Sequence, residues 1–174
     1  MGFTPLEGLP MGTRCGDIDP AVPLYIMGKE ELNLQQINAL LNKHSGVLGI
    51  SGVSNDFRTL EEEAAKGDKR ATLALEVFCY RLKKYIGSYI AAMNGADAIV
   101  FTGGIGENSE TVREMVVKDM EFLGIELDAE ANHGKKRCEG AEISKPASRI
   151  KILVIPTNEE LVIARDTRRI ASGQ

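Results

Sequence analysis

The chain has 174 residues, 43% hydrophobic and 26% charged, a balance that belongs to a folded globular protein and excludes a disordered or fibrous one. Its formal net charge of -4 and pI near 5.3, with basic residues scattered and in short runs such as Lys135-Lys136-Arg137 and Arg168-Arg169, argue against a nucleic-acid partner. The length suits one globular domain.

From Met1 to Pro20 the sequence MGFTPLEGLPMGTRCGDIDP is rich in glycine and proline, which forbids a long helix and predicts an extended loop. A loop of this length in a compact domain is usually functional. Asn33 with Gln36 reads as a capping box opening a helix over 33–45, with Leu34, Ile37, Leu40 and Leu41 as its apolar face and Gly46 as its terminator. A short polar helix follows at 59–66, stopped by Gly67. The strongest helical signal runs from Asp68 to Asn94, where Leu75, Phe78, Leu82, Tyr85, Ile86, Tyr89, Ile90 and Met93 recur at three- and four-residue steps. Its apolar stripe calls for burial within the domain or against a second copy.

Ala98 to Thr102 suits a strand buried on both faces of a parallel sheet. A glycine turn and a helix capped by Asn108 or Ser109 come next, with Val112, Met115, Val116, Phe122 and Leu123 on the buried side. Residues 128–149 are polar apart from a short strand at 141–143. Ile150 to Ile155 is a second buried strand, and Pro156-Thr157-Asn158 leads into a terminal helix. Strand, glycine turn, helix, strand, helix predicts an α/β fold with parallel strands and right-handed crossovers. Two strands make a thin sheet for this length, so further strands are expected from sequence outside the chain.

The stretches at 86–93 and 150–155 are too short or interrupted to span a bilayer, and Met1 is not followed by a basic segment and apolar core, so a cytoplasmic protein without a membrane partner is expected. Cys15, Cys79 and Cys138 lie far apart and read as reduced thiols. With only His44 and His133 available, no zinc spacing is present.

Four segments offer chemistry. In Val100 to Ser109 a strand feeds a glycine-rich turn that opens a helix, a place for close backbone approach to an anion; a tight turn without ligand is the alternative. It lacks the third glycine of a Rossmann fingerprint and the Gly-Lys-Ser/Thr of a Walker loop. Arg14, flanked by Gly12 and Gly16, offers a planar fork for a carboxylate or phosphate, or is simply a solvated charge. Asp56-Phe57-Arg58 can hold a base and ribose by stacking and hydrogen bonds, or Asp56 can merely cap the next helix. Glu159 and Glu160 stand at the end of a parallel strand, where a carboxylate can hold Mg²⁺; Thr157 with Glu160 equally reads as a capping box.

Together MGFTPLEGLPMGTRCGDIDP, SGVSNDFR, FTGGIGENS and VIPTNEE resemble the acetate kinase family in order and spacing, over essentially the whole chain. The resemblance implies a partial ribonuclease-H-like domain of the sugar kinase, heat-shock protein and actin superfamily, helix-rich with a short parallel sheet. It implies ATP or ADP and Mg²⁺ as cofactors, acetate or another short carboxylate as partner, and a homodimer. Arg14 is then catalytic, contacting the carboxylate or transferring phosphoryl group. Asp56, Phe57 and Arg58 form the adenosine pocket, Gly104, Ile105 and Asn108 line the nucleotide, and Glu159 helps hold the metal. Family members are much longer, and their N-terminal half supplies a catalytic aspartate, a second arginine, histidines and a phosphate loop that are not in this sequence. The chain therefore reads as the C-terminal portion of such a kinase, inactive alone, with Met1 as an internal methionine. A propionate or butyrate kinase, or a non-catalytic dimer-forming module, are the alternatives.

Overall fold

The computed structural model describes residues 2–133 and 140–173. Met1, the basic run at 135–137 and Cys138 lie outside the described residues, as does the side chain of Glu159. The sequence suggested one globular unit; the chain instead divides into two compact units, Met1–Ala96 with Glu114–Lys118, and Asp97–Arg113 with Asp119–Gln174.

The first unit is helical. Residues 2–20 form neither helix nor strand, as their composition predicts, and lead into α1 (Ala21–Lys29), which the sequence reading did not anticipate. Pro23 lies in its first turn, where a missing N–H breaks no helical bond, and none of its residues is buried, so no apolar periodicity announced it. α2 (Leu34–Lys43) opens with the expected capping box: the Asn33 side chain accepts from the N–H groups of Gln35 and Gln36 at 2.9 and 3.0 Å, and Gln36 Oε1 accepts from Asn33 N–H at 2.8 Å. Of its expected apolar face Ile37 is buried, Leu40 and Leu41 are half-buried, and Leu34 is 76% exposed. Gly46 does not close this helix; it opens α3 (Gly46–Ser51).

α4 (Phe57–Ala65) starts two residues earlier than the sequence indicated, because Asp56 accepts from Arg58 N–H at 2.9 Å and serves as its N-cap. α5 (Lys69–Ala92) is capped by Asp68, whose carboxylate accepts from the N–H groups of Arg70 and Ala71, both at 2.8 Å. α3 and α4 pack against α5. Val47, Phe57, Leu60, Ala71, Ala74, Leu75, Phe78 and Cys79 fill this core. The stripe on α5 is buried only through Cys79; Leu82, Tyr85, Ile86 and Ile90 are half-buried, and Tyr89 and Met93 are exposed. Burial pushes the Cys79 thiol up to about 12, so it stays protonated.

The second unit is built on a three-stranded sheet in the order β1-β3-β2. β1 (Ala98–Phe101) pairs in parallel with β3 (Lys151–Val154), placing Ile99 opposite Ile152 and Phe101 opposite Val154. The short β2 (Ala141–Glu142) pairs with β3 antiparallel, so the sheet is mixed where a parallel one was expected. β1 was expected to be buried on both faces. It is not: Phe101 is buried, Ala98 and Val100 are exposed, and β1 is an edge strand among the described residues. Ile125, Ile143, Ile150, Ile152 and Val154 complete the core. Within FTGGIGEN the glycine turn is itself helical, α6 (Gly103–Asn108), and Ser109 then caps α7 (Glu110–Val117) by accepting from Val112 N–H at 2.9 Å. Val112 and Val116 are buried as predicted, Met115 is half-buried, and Phe122 is 83% exposed. A short α8 (Ala129–Asn132), missed in the polar stretch, is capped by Asp128. α9 (Glu159–Ala171) is exposed at every residue whose burial is described. Among the described residues no helix is long and apolar enough to cross a membrane.

The Phe57 and Phe78 rings meet edge to face with centroids 4.6 Å apart. Phe57→Ala is expected to lower stability by about 3–5 kcal/mol in chemical denaturation, the usual range for removing a buried ring.

Candidate functional site

Arg14 sits on a loop whose main chain serves as the cap of two helices. Met11 and Gly12 carbonyls accept from Val47 and Leu48 N–H at 2.9 and 3.0 Å, which are donors of the first turn of α3 without intrahelical partners. Cys15 N–H donates to Leu41 O at 2.9 Å, and Thr13 Oγ1 donates to Asn42 O at 2.8 Å, both at the carbonyl end of α2. Ser45 N–H donates to Thr13 O at 3.0 Å, and Met11 N–H to Arg14 O at 3.0 Å. The approach is so close that a Cβ on Gly46, at φ +62°, would lie 2.1 Å from Met11 O. This is the reason for the glycine, and it replaces the helix-terminating role expected of it.

The same loop is tied to α5 through Asp17. One carboxylate oxygen accepts from Gly8 N–H at 2.7 Å, the other from Arg81 Nη2 at 2.7 Å and from the Tyr85 hydroxyl. The Tyr85 hydrogen bond, with smaller help from Gly8 and Arg81, holds the Asp17 carboxyl below its ordinary value, and the same bond pushes the Tyr85 phenol up to about 12. Arg14 is half-buried, and among the described residues its guanidinium has no hydrogen-bond or ion-pair partner. It lines a cavity of about 350 Å³ whose other walls include Pro5, Leu9, Met11, Leu82 and Ile86.

A Cβ on Gly12 would touch Asn55 O at 3.1 Å, so the Arg14 loop lies against the segment that carries Asp56. Asp56 and Arg58 form a two-pronged ion pair, Nε to Oδ1 at 3.2 Å and Nη2 to Oδ2 at 2.7 Å, with Arg58 83% exposed. The Arg58 side-chain bonds lead in holding the Asp56 carboxyl low. The Phe57 ring is a core residue, 7% exposed, and offers no face for stacking. It anchors the turn that presents its two charged neighbours.

In the second unit, α6 and the segment after β3 leave the carboxyl ends of two adjacent parallel strands, the place where α/β sheets bind ligands. Glu107, 9% exposed, lies between them. Its Oε1 accepts from Gly103 N–H at 2.9 Å, Thr157 N–H at 2.8 Å and Thr157 Oγ1 at 2.9 Å. The far end of α6 is held by Arg113, which is buried and donates from Nη1 to Gly106 O at 2.8 Å and Glu107 O at 3.1 Å, and from Nε to Asn132 Oδ1 at 2.8 Å. Gly106 packs on Phe101, whereas Gly104 is exposed with open space where a side chain would stand. Ile105 is half-buried, and Asn108 Nδ2 donates to Gly104 O at 2.6 Å. The expected Thr157–Glu160 capping box does not form: Asn158 caps α9 by accepting from Leu161 N–H at 3.0 Å, because the Thr157 hydroxyl is engaged by Glu107. Among the described residues no group of three His, Cys, Asp or Glu could hold a metal ion.

The acetokinase family profile matches residues 1–165. The chain belongs to the acetokinase family. The acetate kinase of Caldicellulosiruptor saccharolyticus is 58% identical over 170 residues, covering 98% of this chain and 43% of that protein. The crystal structure of Porphyromonas gingivalis acetate kinase has a TM-score of 0.92 at 51% identity over 98% of this chain and 43% of its own. A propionate kinase from Francisella tularensis gives 0.86 at 44% identity, over 94% and 41%. The chain thus spans less than half the length of these relatives. Its α/β fold is that of solved acetate kinases, with a small mixed sheet among many helices.

Of the expected site residues in this acetokinase-family chain, Arg14, Asp56, Phe57 and Arg58 belong to the first unit, where the two loops adjoin. Gly104, Ile105, Asn108 and Glu159 belong to the second. Glu107 was not among the expected site residues, although a carboxylate inside a glycine turn that follows a strand must find donors if it is buried. Pro5, Leu9 and Leu82 form an apolar wall beside Arg14.

Both Asp17 and Asp56 are held below the ordinary 3.8, so the folded chain binds fewer protons than the unfolded one. Their contribution is complete above about pH 4 and is lost as pH falls through the lowered values. Asp17→Asn is expected to flatten the acid limb of a stability-against-pH curve, and to return the Tyr85 phenol, followed by ultraviolet titration, toward about 10.

Proposed function

We propose that this chain is the C-terminal part of the nucleotide-binding domain of an acetate kinase, with residues 1–20 as its active-site loop and 156–174 as its terminal helix. The reaction is the reversible transfer of a phosphoryl group between ATP and acetate. A carboxylate oxygen bonds to the γ-phosphorus as the bond to the bridging oxygen of ADP breaks, giving acetyl phosphate and ADP. The observation that carries this reading is the Arg14 guanidinium, half-buried, without a partner among the described residues, and lining a cavity with apolar walls. A planar cationic fork next to an apolar recess suits a short carboxylate and its phosphoryl adduct, and chemistry of this kind depends on positioning and charge neutralisation. Propionate or butyrate would use the same recess, a second reading favoured by the similarity to a propionate kinase.

Asp56, Phe57 and Arg58 are assigned to the adenosine pocket, Phe57 through its main chain and its anchoring ring. Gly104, Ile105 and Asn108 are assigned to the nucleotide, an assignment supported by the open side of Gly104. Glu159 is assigned to Mg²⁺ by the resemblance to acetate kinases; a metal bound with a nucleotide needs only one or two carboxylates because phosphates and water supply the other oxygens, and it would supply charge neutralisation on the phosphates. A cytoplasmic homodimer completes the proposal, with the end of the α5 stripe beyond the cavity wall, at Ile90 and Met93, as the surface for a second copy. A non-catalytic dimer-forming module would use that surface alone.

In the intact kinase, Arg14→Lys keeps the charge but loses the fork, and should lower kcat by about 10²-fold or more with ATP affinity within about threefold. Wild-type turnover would remove Arg14 from the mechanism. The chain by itself is expected to give no turnover in a coupled ADP-release assay, since phosphoryl transfer requires an enclosed cleft. Light scattering should show self-association; activity equal to an intact kinase, or a stable monomer, would overturn the corresponding part.

A further inference from the structure

We propose that Glu107 and Thr157 are positioning residues that lock the glycine turn to the segment entering α9, so that the nucleotide meets a preformed surface. The inference rests on the phosphotransferase reading and adds to it two residues that touch no substrate.

Gly103, Gly104 and Gly106 give α6 little stiffness of its own, and Gly103 already occupies the left-handed region at φ +71°. Its order has to come from outside. Glu107 Oε1 gathers donors from both sides, Gly103 N–H at the start of α6 and the N–H and hydroxyl of Thr157 after β3. The proton count fixes the direction of the network. Thr157 Oγ1 donates to Glu107 Oε1, so its one hydroxyl proton is committed there, and the 2.8 Å contact between Thr102 Oγ1 and Thr157 Oγ1 has Thr102 as donor. Gly103 N–H is shared between Glu107 Oε1 and Thr157 Oγ1, the latter at 3.0 Å. Thr102 donates to Thr157, Thr157 donates to Glu107, and each bond polarises the next. Arg113 holds the opposite end of α6 through the carbonyls of Gly106 and Glu107.

The consequence concerns binding more than stability. The buried negative charge is turned inward onto these donors, so the outer face of the turn at Gly104 is left to its backbone. If the two segments were free to separate, a nucleotide would have to order them as it bound, and affinity would fall by that cost. Thr157 is exposed at the surface, so removing its hydroxyl leaves the core intact.

The test measures ADP binding by calorimetry in the intact kinase, with thermal melting as a parallel readout, for wild type, Thr157→Val and Thr157→Ser. Valine removes the hydroxyl and keeps the shape; serine restores it. Thr157→Val should weaken ADP about tenfold, the scale of one lost hydrogen bond to a charged group, with the melting midpoint within a few degrees and KM for the carboxylate unchanged. Thr157→Ser should recover most of the affinity. Glu107→Gln keeps an acceptor oxygen and should fall between them. Wild-type ADP affinity in Thr157→Val, or equal losses for ADP and the carboxylate, would overturn the lock while leaving the phosphotransferase reading in place. A wild-type kinase that binds no ADP would overturn that reading and the lock with it.

Discussion

A loop without periodic structure leaves its own N–H and C=O groups open, and the helices on either side leave theirs open at their ends. In this chain the two shortages meet. The carbonyls of Met11 and Gly12 serve the first turn of α3, while Cys15 N–H and the Thr13 hydroxyl serve the last turn of α2. Arg14 stands between these two sets of bonds. Its position therefore depends on where two helices end, which are the most rigid references available to a loop rich in glycine. Gly46 makes the arrangement possible, since any side chain there would collide with the Met11 carbonyl.

The second unit solves a related problem with side chains. There the glycine turn is held by a carboxylate at its entrance and a guanidinium at its exit, and both are largely removed from water. Burying such charges is costly unless every one is answered by hydrogen bonds. For Glu107 three donors converge on one oxygen, and Arg113 is satisfied by main-chain and amide oxygens. Backbone capping in one unit and buried charges in the other reach the same end, a loop whose conformation is set before any ligand arrives.

What could be read from the sequence was what is decided locally. The capping box at Asn33 and Gln36 and the cap at Asp56 depend on residues within one turn, and each forms. The parallel pairing of β1 with β3 followed from a strand, glycine turn and helix pattern. Coverage by distant parts of the chain could not be read in this way. Val100 looks like a core residue by type yet stands exposed, because burial of that face depends on what lies over it. Phe57 looked like a stacking residue because it sits between two charges, and only the position of Phe78 shows that its ring belongs to the core. The four site segments were recognisable by their order. Glu107 was not recognisable as their connection, since its partners Gly103 and Thr157 are far apart in sequence and meet only through the pairing of two strands.

Charge placement around Arg14 completes the arrangement. Asp17 is three residues away on the same loop, and a carboxylate so near in sequence is the obvious partner for an arginine. It is already committed: Gly8 N–H, Arg81 and the Tyr85 hydroxyl take up its two oxygens. The negative charge is thereby compensated by α5 and by the loop itself. Arg81 neutralises the aspartate, Tyr85 fixes its direction, and the Arg14 guanidinium is left without an ion pair among the described residues. Without Gly8, Arg81 and Tyr85 on its oxygens, Asp17 would be free to compete with an incoming carboxylate or phosphate for the guanidinium. By anchoring the aspartate to α5, the chain spends the carboxylate nearest to Arg14 in sequence on holding the loop and leaves the guanidinium open toward the cavity.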